Sequence, residues 1–332
     1  MKFFNRRTLT IILPAILLVI LPIFALTING TPALSEIFDM MCGKSNDSPL
    51  STIVFELRIP RIITAILCGA ALGCAGAILQ SVLHNPLASP DLLGISAGGG
   101  CAGLAVMIWL PSLVNLLGIA VFLGALTVTL LIFLASGSRK LSPLRLILAG
   151  VALGALFGTI STAILMFGSE RYTAAFNFLL GGFSGVSFYE LKLFAPGLII
   201  AIIAAIMLRE KLDILALGDD SAATLGLRVV PTRRLALGVA ALGSASAAGI
   251  AGLLGFAGLI APHTMRLLSK SGSNKFIIPA SALAGAVLVL AGDYLGQLLS
   301  PEAMEIPAGV LLSGCGAIFF IILLCNSREE TL

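Results

Sequence analysis

Charge is what this 332-residue chain has least of: Asp, Glu, Lys and Arg make up 11% of it, against about 25% in soluble domains. Hydrophobic residues account for 58%, and the mean hydropathy is +1.08. These figures exclude a water-soluble globular domain and leave a polytopic, all-helical membrane protein. Histidine occurs only twice, and no metal-ligand cluster, P-loop, hydrolytic motif or redox motif is present. No catalytic residue, metal or cofactor is therefore expected in this chain, and any energy it uses must come from another subunit or an ion gradient. The six cysteines (42, 68, 74, 101, 315, 325) contain no CxxC pattern. Only Cys42 falls in an expected external loop, so structural filler is their expected role. Although the pI is near 8.8, the basic residues are spread over loops, which does not imply nucleic acid.

What is present is a series of apolar runs. A basic start (Lys2, Arg6, Arg7) precedes the first, from Leu9 to Ile28, which is nearer span length than signal-peptide length. A polar external loop is expected from Gly30 to Phe55, then a second span from Arg58 to Leu83. The segment His84–Asp91 reads as a turn with two prolines. No charge occurs from Leu92 to Ser138; as one helix that run would be roughly 70 Å long, so it must fold back, most simply at Pro111-Ser112. Span five is expected at Leu146–Phe167, then a polar segment with a short interfacial helix, then span six at Phe194–Leu208. The glycine-rich run Leu235–Met265 divides near Gly249–Gly252 into spans seven and eight; spans nine and ten follow at Phe276–Gly292 and Ile306–Leu324.

Ten spans put both termini on one side, and the basic residues test that arrangement. Of twenty Lys and Arg, fifteen fall on the N-terminal side; Lys44, Arg58, Arg61, Arg171 and Lys192 fall opposite. The bias makes both termini, and the central loop Arg209–Arg234, cytoplasmic. Within that loop Asp219 and Asp220 precede Ser-Ala-Ala-Thr-Leu, and Gly226 follows. This reads as a short surface helix with an acidic cap and a C-terminal glycine, either a docking site for a motor subunit or a solvated turn. Glycines at 69/73 and at 150/154/158 mark faces where helices approach closely. Asp293 and Glu305 sit at span ends, which argues against a gradient-driven carrier with an ionisable midplane site.

Several motifs then match a family in order: Arg58-Ile-Pro-Arg61, Gly69–Gln80, Asn85–Gly94, Leu148–Ala152, Leu217–Gly226, Gly255–Arg266 and Glu305–Gly309. Together they resemble the FecCD-type permeases, the membrane subunits of ABC importers for iron–siderophore complexes, haem and vitamin B12. The resemblance implies a type II ABC importer permease fold with inverted repeats over spans two to five and seven to ten. It implies pairing with a second copy or a paralogous permease, two cytoplasmic ATPase subunits that hold ATP and Mg, and an external substrate-binding protein. Arg58 and Arg61 would receive the binding protein's acids, with Gln297 standing where the family places a third arginine. Leu217, Gly218, Asp219, Asp220, Ala222, Ala223, Leu225 and Gly226 would seat the ATPase. Asn85-Pro86 and Ser142-Pro143-Leu144 would lie near the inner gate. Gln80 is either a pathway residue or an interhelical hydrogen bond, and His263 is expected to bond a helix end rather than a metal. The alternative function is a gradient-driven secondary transporter.

Overall fold

The computed structural model describes residues 2–28, 32–41, 49–135, 141–168, 172–301 and 305–327, and among them every regular element is helical. In order these are α1 (Lys2–Leu26), α2 (Leu34–Met41), α3 (Pro49–Thr52), α4 (Ile59–Val82), α5 (Ile95–Trp109), α6 (Leu117–Ala135) and α7 (Pro143–Met166). The second half holds α8 (Tyr172–Leu180), α9 (Phe188–Leu215), α10 (Asp219–Thr224), α11 (Val229–Ala251), α12 (Ala257–Ser269), α13 (Asn274–Leu299) and α14 (Ala308–Ser327). A helix stands at each of the ten expected spans. Among the described residues seven helical runs are long and apolar enough to cross a membrane, while α5 and the apolar part of α14 are shorter. At 13 residues α12 is shorter still.

Three boundaries differ from expectation, each for a local reason. The expected external loop is partly helical: α2 interrupts it, and α3 runs through a π-helical turn, Ile53–Arg58, directly into α4. Pro60 has no N–H for the carbonyl four residues back, so the ladder widens, and Ile59 N–H bonds to Val54 instead. Helix α9 starts at a capping box, in which Glu190 accepts from the Ser187 backbone and Tyr189 N–H donates to the Ser187 hydroxyl, and runs 28 residues. It absorbs Arg209–Asp213, and α11 absorbs the Arg233-Arg234 end, so the true central loop is shorter than Arg209–Arg234. Elsewhere the fold-back at Pro111 is present as a 3₁₀ turn, Pro111–Leu116. The break at Gly252 is present too, with φ of 67° at that glycine. Cys42, Lys44, Arg139, Lys140, Glu170 and Arg171 lie outside the described residues.

Helix α4 is the buried axis, packed by α13, α11, α9 and α12. Small residues make that possible. A Cβ on Gly69 would stand 2.3 Å from the Gly285 carbonyl oxygen, and one on Gly73 would stand 2.1 Å from that of Ser281, so α4 and α13 touch backbone to backbone. Gly150 and Gly154 pack on Leu93 and Gly94, whereas Gly158 faces open space, so that expected face is two glycines long. Helix α7 is largely uncovered, presenting Leu144, Leu148, Val151, Leu156 and Ile160.

Candidate functional site

The 24 residues of α4 span about 36 Å, and the predicted site residues gather at its two ends. At the end near Ile59, Arg61 donates Nε to Asp293 Oδ2 at 2.8 Å and a terminal nitrogen to Oδ1 at 2.7 Å, and it also pairs with Glu305. Asp293 is 2% exposed. Gln297 donates to Asp293 Oδ2 at 2.9 Å, one turn along α13. Arg61 and Gln297 therefore serve an internal network rather than pointing outward, because a buried carboxylate needs every donor in reach. Arg58 turns the other way and donates to the Leu26 carbonyl at the end of α1. Beside the network a cavity of about 500 Å³ is lined by Arg61, Glu305, Asn177, Phe178, Phe183 and Ser184.

Burial raises the Glu305 carboxyl, but the hydrogen bond and charge of Arg61 outweigh it and hold the group below its ordinary value of 4.5. A carboxyl lowered on folding stabilises the native state fully above its unfolded pKa. That contribution is lost as pH falls through the lower folded value. The melting temperature in detergent should therefore decline on acidification below about pH 4.5, and Glu305→Gln should shrink the decline. An acid limb of the same size in the variant would remove Glu305 from the network.

At the opposite end stands α10, flanked by left-handed glycines, Gly218 at φ 97° and Gly226 at φ 82°. Gly218 is the N-cap, and no side chain caps the helix. The acidic cap expected at Asp219 is thus replaced by a different use. Asp219 receives two hydrogen bonds from Arg233, at 2.6 and 3.1 Å, and Arg233 also donates to the Leu141 carbonyl at 2.6 Å. Ala222 is buried, while Leu217 and Leu225 are each 62% exposed and Asp220 and Ala223 also face outward. The outer face of α10 therefore carries small side chains with acids at its start, and an exposed leucine flanks it on either side.

Ser142 is the N-cap of α7, accepting from Arg145 N–H at 3.4 Å; Pro143 takes the first helical turn and Leu144 is exposed. Asn85 accepts from Leu87 N–H at 2.9 Å, closing the turn that carries exposed Pro86. His263 reaches the Pro86 backbone and stacks edge-on against Phe319, with its Nε2 unpartnered among the described residues. Gln80 is 4% exposed, donates to the Leu259 carbonyl at 3.5 Å and accepts from Arg266 at 3.4 Å. Of its two open roles the geometry favours the interhelical bond. Among the described residues no group of three or more His, Cys, Asp or Glu could hold a metal ion.

The turn 84–94 does more than the sequence indicated. Pro90 meets Gly258, which also faces the carbonyl of Leu72, near the middle of α4. The turn therefore re-enters to half depth. There Asp91 accepts from the Ser96 hydroxyl and, at 3.3 Å, from Phe256 N–H across the break between α11 and α12. The two breaks match: Gly94 at φ 70° opens α5 and Phe256 at φ 62° opens α12, so α4–α5 and α11–α12 repeat one plan.

Comparison with known proteins decides the family. The profile of the FecCD transport family matches residues 14–326. The chain belongs to the FecCD transport family. The Fe(3+)-citrate import system permease protein YfmE of Bacillus subtilis is 37% identical over 96% of each chain. The ferric enterobactin transport system permease protein FepG of Escherichia coli is 32% identical over 89% of each, and the vitamin B12 import system permease protein BtuC of Vibrio cholerae 36% over 84% of each. The solved structure described as "An inward-facing conformation of a putative metal-chelate type ABC transporter" superposes with a TM-score of 0.83 at 27% identity, covering 95% of this chain and 98% of that one. As a FecCD permease the chain is a membrane component of an ABC import system. Within this FecCD chain, Arg233, Asp213 and the Arg61–Asp293 pairing went unread in the sequence. Arg233 looked like one more positive-inside charge, and Asp213 was hidden in a supposed loop. It ends α9 and accepts from the Ser273 hydroxyl at 2.8 Å and from Asn274 N–H at 2.5 Å, capping α13.

Proposed function

We propose that the chain is the permease subunit through which an ABC importer moves an iron(III)–siderophore or similar metal chelate. An external binding protein delivers the chelate, and a separate ATPase subunit drives transport. The observation that carries this is α10: a six-residue helix, outward-facing and held by a buried arginine, at the end opposite the Arg61 network. Two copies, or this chain and a paralogue, would enclose the pathway along the uncovered face of α7. Both termini lie in the cytoplasm of a bacterium whose inner membrane holds the protein. Binding-protein docking falls chiefly to Arg58, with Arg61 shaping the mouth from within. The ferric-citrate relative supports an iron chelate as cargo; haem, vitamin B12 and oxyanions are the other cargoes within the family.

Asp91, at half depth, favours one competing reading, a gradient-driven carrier that protonates it. Uptake of ferric citrate into reconstituted vesicles separates the two. The importer requires ATP, the ATPase subunit and loaded binding protein together, and Asp91→Asn leaves that requirement in place. Accumulation driven by a proton gradient alone, and lost in Asp91→Asn, would establish the carrier instead.

A further inference from the structure

We propose that Arg233 is the positioning residue that makes α10 and the start of α7 move as one piece. This rests on the reading of α10 as the platform for the ATPase. Helix α10 is poorly fastened by its own chain. It buries only Ala222, and the glycines on either side, Gly218 and Gly226, have left-handed backbones with nothing within 4 Å of where a Cβ would stand. A push on such a helix would be dissipated in those two swivels.

Arg233 supplies the missing constraint. It stands in the first turns of α11, 1% exposed, and grips both oxygens of Asp219 in the first turn of α10. The nitrogen that donates to Asp219 at 3.1 Å also donates to the Leu141 carbonyl at 2.6 Å. Leu141 directly precedes Ser142, the N-cap of α7. A planar guanidinium bound on two sides resists rotation in a way that a lysine ammonium does not. Among the described residues its Nε finds no partner, so the side chain holds this geometry with one buried donor unsatisfied there. A charge present only to mark the cytoplasmic side would reach for water instead.

The last turns of α9, which lead into α10, make their own polar contacts elsewhere. Asp213 caps α13, and His84 Nε2 lies 3.1 Å from the Leu215 carbonyl. The Arg233 fork is thus a direct polar link from α10 to the Ser142-Pro143-Leu144 turn, which the family resemblance puts near the inner gate.

The test uses the full assembly in vesicles, with ATPase subunit, ATP and binding protein loaded with ferric citrate. Arg233→Met should retain the ATPase on co-purification and hydrolyse ATP, yet transport roughly tenfold less cargo per ATP, within the range of a coupling between distant sites. Arg233→Lys keeps the charge without the fork and should show a smaller loss of the same kind. Unchanged uptake per ATP in both variants, with the ATPase retained, overturns the link and leaves the ATPase platform standing. If the native chain retains no ATPase, the platform and the link fall together. Should neither variant accumulate in the membrane, the native arginine is tested directly. Spin labels on Thr224→Cys and Leu144→Cys, with the native cysteines replaced, should keep their separation when nucleotide is added. A nucleotide-dependent change in that separation overturns the proposal.

Discussion

Arg61→Met should destabilise the folded chain by about 3–5 kcal/mol, the cost of breaking a buried ion pair from one side. Asp293 would be left 2% exposed with Gln297 as its remaining side-chain donor, and Glu305 would lose the cation that holds its proton off. Equilibrium unfolding in detergent measures the loss. The double variant Arg61→Met with Asp293→Leu should recover most of it, because an apolar pair can replace a buried ionic one at little net cost. If the single and double variants are equally destabilised, the pairing is not what holds this end together. The same geometry changes how charge reversal at the outer arginines is to be read. Reversing Arg61 would place a third carboxylate beside Asp293 and Glu305, so lost uptake there would report misfolding. Reversal at Arg58 alone, with protein level monitored, reports docking of the binding protein.

Among the described glycines, Gly76→Ala should add the most damaging single methyl group. The added Cβ would stand 1.6 Å from the Gly258 carbonyl oxygen and 2.5 Å from its carbon, and both are backbone atoms that cannot rotate away. A penalty of about 3 kcal/mol or more is expected, at or above the upper end for overpacking, seen as loss of folded protein from the membrane. Gly158→Ala is the control: nothing lies within 4 Å of its Cβ position, and alanine is the better helix former. Equal behaviour of the two variants would show that α4 and α12 are not in backbone contact.

Much of this was legible in the sequence because lipid leaves the chain few choices. Apolar runs had to be helices, Pro111 and Gly252 had to break them, and Gly69 and Gly73 had to sit where helices meet. What was not legible was the partner of each charge. Arg61 finds Asp293 and Glu305 more than two hundred residues away, and no local pattern announces that an arginine near the mouth turns inward. Asp219 looked like a helix cap because its neighbours fit one; a buried arginine in α11 took the side chain instead. Asp91 was hidden by position: a turn with two prolines reads as a loop beyond the helix end, and only the packing of Pro90 on Gly258 brings it beside the middle of α4. The ordered motifs identified the family where single residues could not.

The glycine seams of α4 also limit how this molecule can deform. Where two main chains lie in contact, one helix cannot glide along the other without riding over carbonyl groups at every step. The block formed by α4, α12 and α13 must therefore tilt as a single body. Whatever passage forms has to open at its margins, between that keel and a neighbour, rather than through its own interior.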